Sequence, residues 1–255
     1  MALTGSLQGK NVLITGASSG LGQHFATTLG EAGASVVLAA RRDSLLQETV
    51  AALRARGVNA HAVPLDVRDP ASVTAAFDAA TSAAGVIDVV INNAGITATT
   101  PALDISHDEW SRILDTNLTG CFTVAQQAAR RLKAAGRGGT IVNVASILGQ
   151  RVAGMLSHYA AAKAGLIQLT QALALEWARY RIRVNALSPG YIETDLNRDF
   201  FQTDAGKALI QRIPQRRLGQ MSDLDGPLLL LCSDASAYMT GSVLTVDGGH
   251  LVSSL

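Results

Sequence analysis

Short, unbroken apolar runs separated by segments of helical period constrain this chain more than any other feature. The first run, Asn11-Val12-Leu13-Ile14-Thr15, is too continuous for a strand with one wet face and suits one buried on both. Runs of the same kind recur from Ser35 to Ala40, Ala60 to Leu65, Val86 to Asn92, Thr140 to Val144, Arg183 to Leu187 and Val243 to Asp247. Helical patterns fill the gaps. One runs from Gln23 to Gly33. A second, capped by Asp43, carries Leu45, Leu46, Val50 and Leu53 inward and stops near Gly57. Asp69-Pro70 starts a third, which ends by Gly85, and the capping-box spacing Ser106…Glu109 starts a long fourth that reaches Ala135. A fifth carries Tyr159 and Lys163, and Ser222 can cap a sixth through Leu231. Strand and helix alternating at this pace predict βαβ units, a parallel sheet and helices on both faces. Right-handed crossovers make a doubly wound α/β sheet the natural topology. With no repeat, low-complexity tract or linker, residues 1–255 are expected to form a single domain. Periodicity weakens from Tyr191 to Arg217, a stretch expected to act as a lid.

The junction of the first strand and first helix reads Thr15-Gly16-Ala17-Ser18-Ser19-Gly20-Leu21-Gly22. A helix N-terminus there offers free N–H groups and the positive end of the helix dipole to an anion. Glycines at 16, 20 and 22 permit a tight turn, close backbone approach to a pyrophosphate and close helix packing. The spacing is not Gly-x-Gly-x-x-Gly. A turn that merely needs glycines also fits, but the location favours dinucleotide binding.

Tyr159 and Lys163 are four positions apart in Ser157-His158-Tyr159-Ala160-Ala161-Ala162-Lys163. On a helix both side chains share one face, one turn apart. Phenols ordinarily ionise near pH ~10, and a neighbouring ammonium favours the phenolate, which suits acid–base work. Taken alone, the pair also fits an ordinary helix surface.

Composition narrows the partners. Hydrophobic residues are 48% of the chain and charged residues 16%, enough for a large core and too few charges for disorder. A net charge of +1, from 21 basic and 20 acidic residues, provides no field for nucleic acid or acidic membranes. No apolar run has the length of a membrane span, and the first ten residues lack the pattern of a secretory signal. Cys121 and Cys232 are far apart and the histidines are not clustered, so the thiols read as buried in a reducing cytosol, with no metal site expected.

Taken in order, Thr15-Gly16-x-x-x-Gly20-x-Gly22, Asp66-Val67, Asn92-Asn93-Ala94-Gly95, Asn117, Ser146, Tyr159-x-x-x-Lys163 and Ser188-Pro189-Gly190 make the chain resemble the short-chain dehydrogenase/reductase family. The resemblance spans Gly9 to Gly249 and implies a Rossmann-like fold and hydride exchange at a carbonyl or alcohol carbon with a nicotinamide dinucleotide. It further implies that Tyr159 exchanges the proton with the substrate oxygen, and that Lys163 assists the phenol and binds the nicotinamide ribose. Ser146 would donate a hydrogen bond to the same oxygen, and Asn117 would hold a relay water near Lys163. An ordinary helix asparagine and a strand-end serine capping the backbone are the plainer readings of those last two. By the same resemblance Asn93, Ala94 and Gly95 line the adenosine half, Asp66 and Val67 approach the adenine, and Pro189, Gly190, Ile192 and Thr194 border the nicotinamide carboxamide. Simple turn chemistry also accounts for Asn-Ala-Gly and Ser-Pro-Gly.

Where family members that use NAD carry an acidic residue, at the end of the second strand, this chain has Ala40 followed by Arg41 and Arg42. A guanidinium there can grip a 2′-phosphate, so NADP(H) is expected over NAD(H); a solvated arginine pair also fits. Family members that prefer NADP(H) often add a basic residue where this chain has Ser19. Substrate is expected to meet Ile147, Leu148, Gln150 and Arg151 after Ser146, Met155 and Leu156 before Tyr159, and Ile192, Leu196, Phe200 and Phe201 beyond. Gln150, Arg151 and Asn197 offer polar contacts to a sugar or acid, although Arg151 also fits a solvated rim charge. The implied substrates are ketones or 3-oxoacyl groups, with sugars or polyols as the alternative; a non-enzymatic dinucleotide sensor would not need Asn117, Ser146, Tyr159 and Lys163 together. A cytoplasmic homotetramer is implied by analogy, although the Ala-rich helix faces suit a monomer's core equally.

Overall fold

The computed structural model describes residues 7–194 and 197–253. Seven parallel strands form one sheet: β1 (Asn11–Thr15), β2 (Ser35–Ala40), β3 (Ala60–Pro64), β4 (Val89–Asn92), β5 (Gly139–Val144), β6 (Ile182–Pro189) and β7 (Val243–Val246). Their order across the sheet is β3-β2-β1-β4-β5-β6-β7, so the direction of winding reverses between β1 and β4. Helices α1 (Gly20–Glu31), α2 (Asp43–Ala55), α3 (Pro70–Ala84), α4 (His107–Leu114), α5 (Gly120–Ala134) and α6 (Ser157–Trp177) occupy the crossovers. Short helices α7 (Arg198–Gln202) and α8 (Asp204–Ile210) precede α9 (Asp225–Cys232).

The period of two within each strand sorts the core into two layers. From β1 and β2, Val12, Ile14, Val36 and Leu38 pack with Phe25 and Leu29 of α1, Leu46 of α2 and Leu228 of α9. Leu13 and Val37 face the other way, toward Phe77 of α3, Val124 of α5 and Leu173 of α6. Each of these large side chains contributes about 1.5–3 kcal/mol by leaving water. Burial on both faces is why the strands read as continuous apolar runs rather than alternating ones.

Several local expectations need correction. Helix α1 starts at Gly20, not Gln23, because the glycine loop turns directly into it. Asp43 lies in the first turn of α2, and the capping position belongs to Arg42. Ser222 sits inside a 3-10 turn, Met221–Leu224, whose capping residue is Gln220. Asp69 does cap α3, accepting from Ala71 N–H at 2.9 Å with Pro70 behind it. Ser106 caps α4 as expected, but the long fourth helix is interrupted by a π-helical turn, Asp115–Thr119. Leu196 of the expected substrate wall lies outside the described residues.

Both cysteines are buried, at 4% and 3% exposure. Burial pushes the Cys121 thiol up to about 11 and the Cys232 thiol up to about 12; the charges of Lys163 and Arg183 respectively oppose the shift without cancelling it. Both groups are therefore protonated and inaccessible near pH 8. A chromogenic disulfide reagent should label neither in the native protein and both after denaturation; prompt native labelling would contradict this placement.

Candidate active site

The reversal of winding between β1 and β4 opens a crevice at the carboxyl ends of the strands, where open α/β sheets bind ligands. Thr15 ties its floor together: its hydroxyl accepts the backbone N–H groups of Asn93 at 3.1 Å and Ala94 at 3.0 Å and donates to Ile91 O. The Asn93 amide donates back to Thr15 O at 3.0 Å. Gly16 has φ +67°, and a Cβ there would sit 2.8 Å from Ala94 Cα. At Gly22 a Cβ would sit 2.4 Å from Gly16 O, so only glycine lets the helix start this close to the strand end.

Above this floor runs a cleft of about 510 Å³. It brings together Gly16, Ser18, Ser19 and Leu21 of the loop, Arg41 and Arg42 after β2, Asp66 and Val67 after β3, Asn93, Ala94 and Gly95 after β4, and Thr194. Gly20, with φ +56°, and Gly22 open α1 directly after this loop. Arg42 reaches back across the loop, its Nη2 donating to the hydroxyls of Ser18 and Ser19, both at 2.8 Å. Arg41 stands exposed at the lip. Arg68 also lines the cleft, and its guanidinium, bonded to Asp66 at 2.9 Å, holds that carboxyl below the usual range. Pro189 and Gly190 lie outside this lining, and Ile192 lines a neighbouring cavity of about 360 Å³. A Cβ on Gly190 would approach Asp247 Cβ to 2.7 Å, so this turn is packed against the residues after β7.

Of the four residues expected to act chemically, Asn117 and Lys163 meet beside Gly95, and Tyr159 lies next to Lys163. Asn117 is fully buried in the π-helical turn, a distortion that frequently accompanies functional sites. Its Oδ1 accepts Ile96 N–H at 2.8 Å and its Nδ2 donates to Ile96 O at 2.7 Å. Lys163 is 4% exposed and donates to Val144 O at 2.7 Å. A Cβ built on Gly95 would stand 3.3 Å from Asn117 Oδ1 and 3.8 Å from Lys163 Nζ, which locates both groups at that end of the cleft. Lys163 Nζ lies 5.6 Å from the centre of the Tyr159 ring. Ser146 ends the β5 connection, and its Oγ accepts Leu148 N–H at 3.1 Å. The plainer reading of Ser146 as a backbone cap thus describes a real bond, and it leaves the hydroxyl proton free to be donated elsewhere.

Buried amides register α6 on the sheet. Asn92 Nδ2 donates to Asn143 Oδ1 at 2.9 Å, and Asn143 Nδ2 donates to Thr170 Oγ1 of α6 at 2.9 Å. Asn117→Ala would leave both polar groups of half-buried Ile96 without their side-chain partner, at about 0.5–1.5 kcal/mol for each lost bond. A clear fall in the denaturation midpoint is expected, and an unchanged midpoint would contradict the clamp.

On the expected substrate side, Leu148 is buried and Gln150 exposed. Tyr191 meets Phe201 edge-on at 6.0 Å and lies 5.6 Å from the His250 ring. Burial pushes its phenol up, the Arg151 charge opposes this, and Tyr159 adds to it. Arg151 is bound rather than solvated: its Nη1 donates to His250 O and to Ser253 Oγ. Asn197 is likewise committed, accepting Thr194 N–H and donating to Ile192 O, both at 2.8 Å, because it fastens its own loop. Arg112 and Thr116, like Arg68, line the cleft although no sequence motif singles them out. No local pattern marks them, since a spacing of four shows at most a shared helix face and not what that face meets.

Residues 16–250 match a family model described as enoyl-(acyl carrier protein) reductase. The chain is 40% identical to L-rhamnose 1-dehydrogenase (NAD(P)(+)) of Azotobacter vinelandii, over 95% of this chain and 97% of that one. It is 38% identical to a 3-oxoacyl-acyl-carrier-protein reductase of Pseudomonas aeruginosa, over 97% and 100%. This chain belongs to the short-chain dehydrogenase/reductase family. A crystal structure of a gluconate 5-dehydrogenase from Burkholderia cenocepacia, in complex with NADP and tartrate, superposes with a TM-score of 0.95 at 37% identity, covering 100% of both chains. As a member of the family, the chain is an oxidoreductase that transfers hydride between a nicotinamide dinucleotide and a carbonyl or alcohol carbon.

Proposed function

We propose that this enzyme reduces ketone or 3-oxoacyl groups with a preference for NADP(H), Tyr159 delivering the proton to the substrate oxygen. The observation that carries the reading is the convergence of Asn117 and Lys163 on Gly95, at one end of a cleft that also holds Arg41 and Arg42. The glycine cradle, which an added Cβ would fill, and these arginines suit a dinucleotide phosphate. When bound, the nicotinamide supplies the hydride in reduction and takes it up in oxidation.

The chain's own groups do the rest. Ser146, its oxygen already bonded to Leu148 N–H, donates a hydrogen bond to the substrate oxygen and fixes it beside Tyr159. Lys163 spends one N–H on Val144 O, leaving two for the ribose and the phenol side. Asn117 holds the Ile96 backbone and, through it, the relay path near Lys163. Gly16, Ser18, Ser19, Gly20, Leu21 and Gly22 hold the pyrophosphate; Asp66, Val67, Asn93, Ala94 and Gly95 hold the adenosine half; Pro189, Gly190, Ile192 and Thr194 border the carboxamide. Leu148 and Gln150 contact substrate, and residues 191–217 act as its lid within a single domain.

Arg42, bridged to Ser18 and Ser19, brings to the loop the positive charge that Ser19 lacks, while Arg41 stands open beside it. Replacing either by Asp should lower kcat/KM for NADPH by about 10- to 100-fold, the worth of a charge-assisted bond, and leave NADH turnover close to its starting value. Unchanged cofactor preference in both variants would refute this assignment.

Likeness to gluconate and rhamnose dehydrogenases favours a second reading, a sugar or polyol dehydrogenase. Absorbance at 340 nm, followed with NADPH and NADH across ketones, ketoesters, acyl thioesters and sugars, separates the two; no turnover on any of them would refute both. Exposed Trp110, Phe122 and Leu175 on α4, α5 and α6 support assembly with further copies as a homotetramer, which sedimentation tests. Two buried free thiols fit the reducing cytoplasm as its place of action.

A further inference from the structure

Helix α6 carries Tyr159 and Lys163 but begins without a side-chain cap, because its capping residue is Leu156. The first amides of any helix lack intrahelical partners and need one from elsewhere. Here the Tyr159 N–H is taken at 3.0 Å by Nδ1 of the residue before it, His158. That imidazole is fully buried, and its Nε2 lies 2.9 Å from Glu109 Oε1 on α4. With Nδ1 accepting, the proton of the neutral ring sits on Nε2 and is donated to the carboxylate. The same Glu109 oxygen accepts Thr100 Oγ1–H at 2.7 Å, and Thr100 N–H donates to Met155 O at 3.0 Å. Met155 has φ +64°, a left-handed conformation costly for a residue with a side chain. Glu109 is thus drawn away from the reciprocal half of its capping box; hydrogen bonds from Thr100 and then His158 hold its carboxyl below the usual range.

These bonds form one chain from the strained residue before α6, through the segment after β4 and helix α4, back to the amide of Tyr159. We propose that His158 is a positioning residue for the reaction, setting the Tyr159 backbone by capping α6 with Nδ1 while Glu109 holds the ring from the other side. This rests on the reading of Tyr159 as the proton donor. Misplacing a reacting group by about 1 Å can cost on the order of 100-fold in rate, so the loss should fall on kcat. The dinucleotide cleft, whose lining includes neither His158 nor Glu109, should keep its affinity.

Three substitutions separate the two ring nitrogens. Asn places an acceptor near the position of Nδ1, Gln places a donor near the position of Nε2, and Leu supplies neither. His158→Leu and His158→Gln should lower kcat about 10- to 100-fold with an unchanged Kd for NADPH by fluorescence titration, and His158→Asn should restore most of that loss. Hydrogen exchange of the Tyr159 amide should quicken in the Leu and Gln variants and slow again in the Asn variant. Equal turnover by all three, or losses that do not follow Tyr159 amide exchange, would overturn the proposal. If amide exchange follows this pattern while Tyr159→Phe keeps full turnover, the cap stands as a structural fact, but its role in the reaction falls together with the proton-donor reading.

Discussion

Tyr159→Phe should lower kcat for the best ketone by about 10²- to 10⁴-fold, the range that a positioned general acid contributes. The substitution removes one oxygen and leaves the ring, so the contact between the Tyr159 ring and Lys163 Nζ at 5.6 Å can persist and the fold has no reason to change. Dinucleotide binding should also survive, because the cleft beneath Arg41 and Arg42 is lined by other residues. The informative result is therefore the split: kcat collapses while Kd for NADPH holds. Absorbance at 340 nm with saturating cofactor measures the first, and fluorescence titration the second. Turnover at the unaltered rate would remove Tyr159 from the chemistry.

Lys163→Met should be at least as damaging and should fail differently. Lys163 is 4% exposed and its ammonium donates to Val144 O, so its loss strands that carbonyl as well as removing the charge beside the Tyr159 ring. It also removes the donor that reaches the Gly95 end of the cleft, where the ribose is proposed to lie. A loss of about 10³-fold in kcat/KM is expected, within the range for acid–base groups, together with weaker NADPH binding, which Tyr159→Phe should not show. Lys163→Met with full affinity and full turnover would break the link between this lysine and both roles.

The difference between these two expectations rests on tertiary contacts, and so does much else in the site. Tyr159 and Lys163 were legible in the sequence because a spacing of four on a helix is local geometry. The asparagine at 117 was legible only through the family resemblance, since a helix asparagine is ordinary. Its clamp on Ile96, 21 residues away, and the π-helical turn that aims it were not. The arginine pair after β2 was visible as a charge signal, and Arg41 and Arg42 looked equivalent. Only the folded loop shows Arg42 crossing 23 residues to Ser19 while Arg41 stays open. His158 gave no sign of its role, because its partner Glu109 is 49 residues away and was assigned to a capping box. Arg151, read as a rim charge or a ligand, turned out to be bonded to the C-terminal turn 99 residues on.

By itself, the sequence determined the parallel sheet, the helices on its two faces and the glycine loop. Those depend on burial periods of two and about 3.6 and on backbone freedom, which a short stretch of chain encodes. Tertiary structure alone decided which strand ends meet, which guanidinium bonds to the glycine loop and what caps the helix that carries Tyr159. Those outcomes depend on single hydrogen bonds between residues remote in sequence, and a bond of that kind leaves no period for a reader to find.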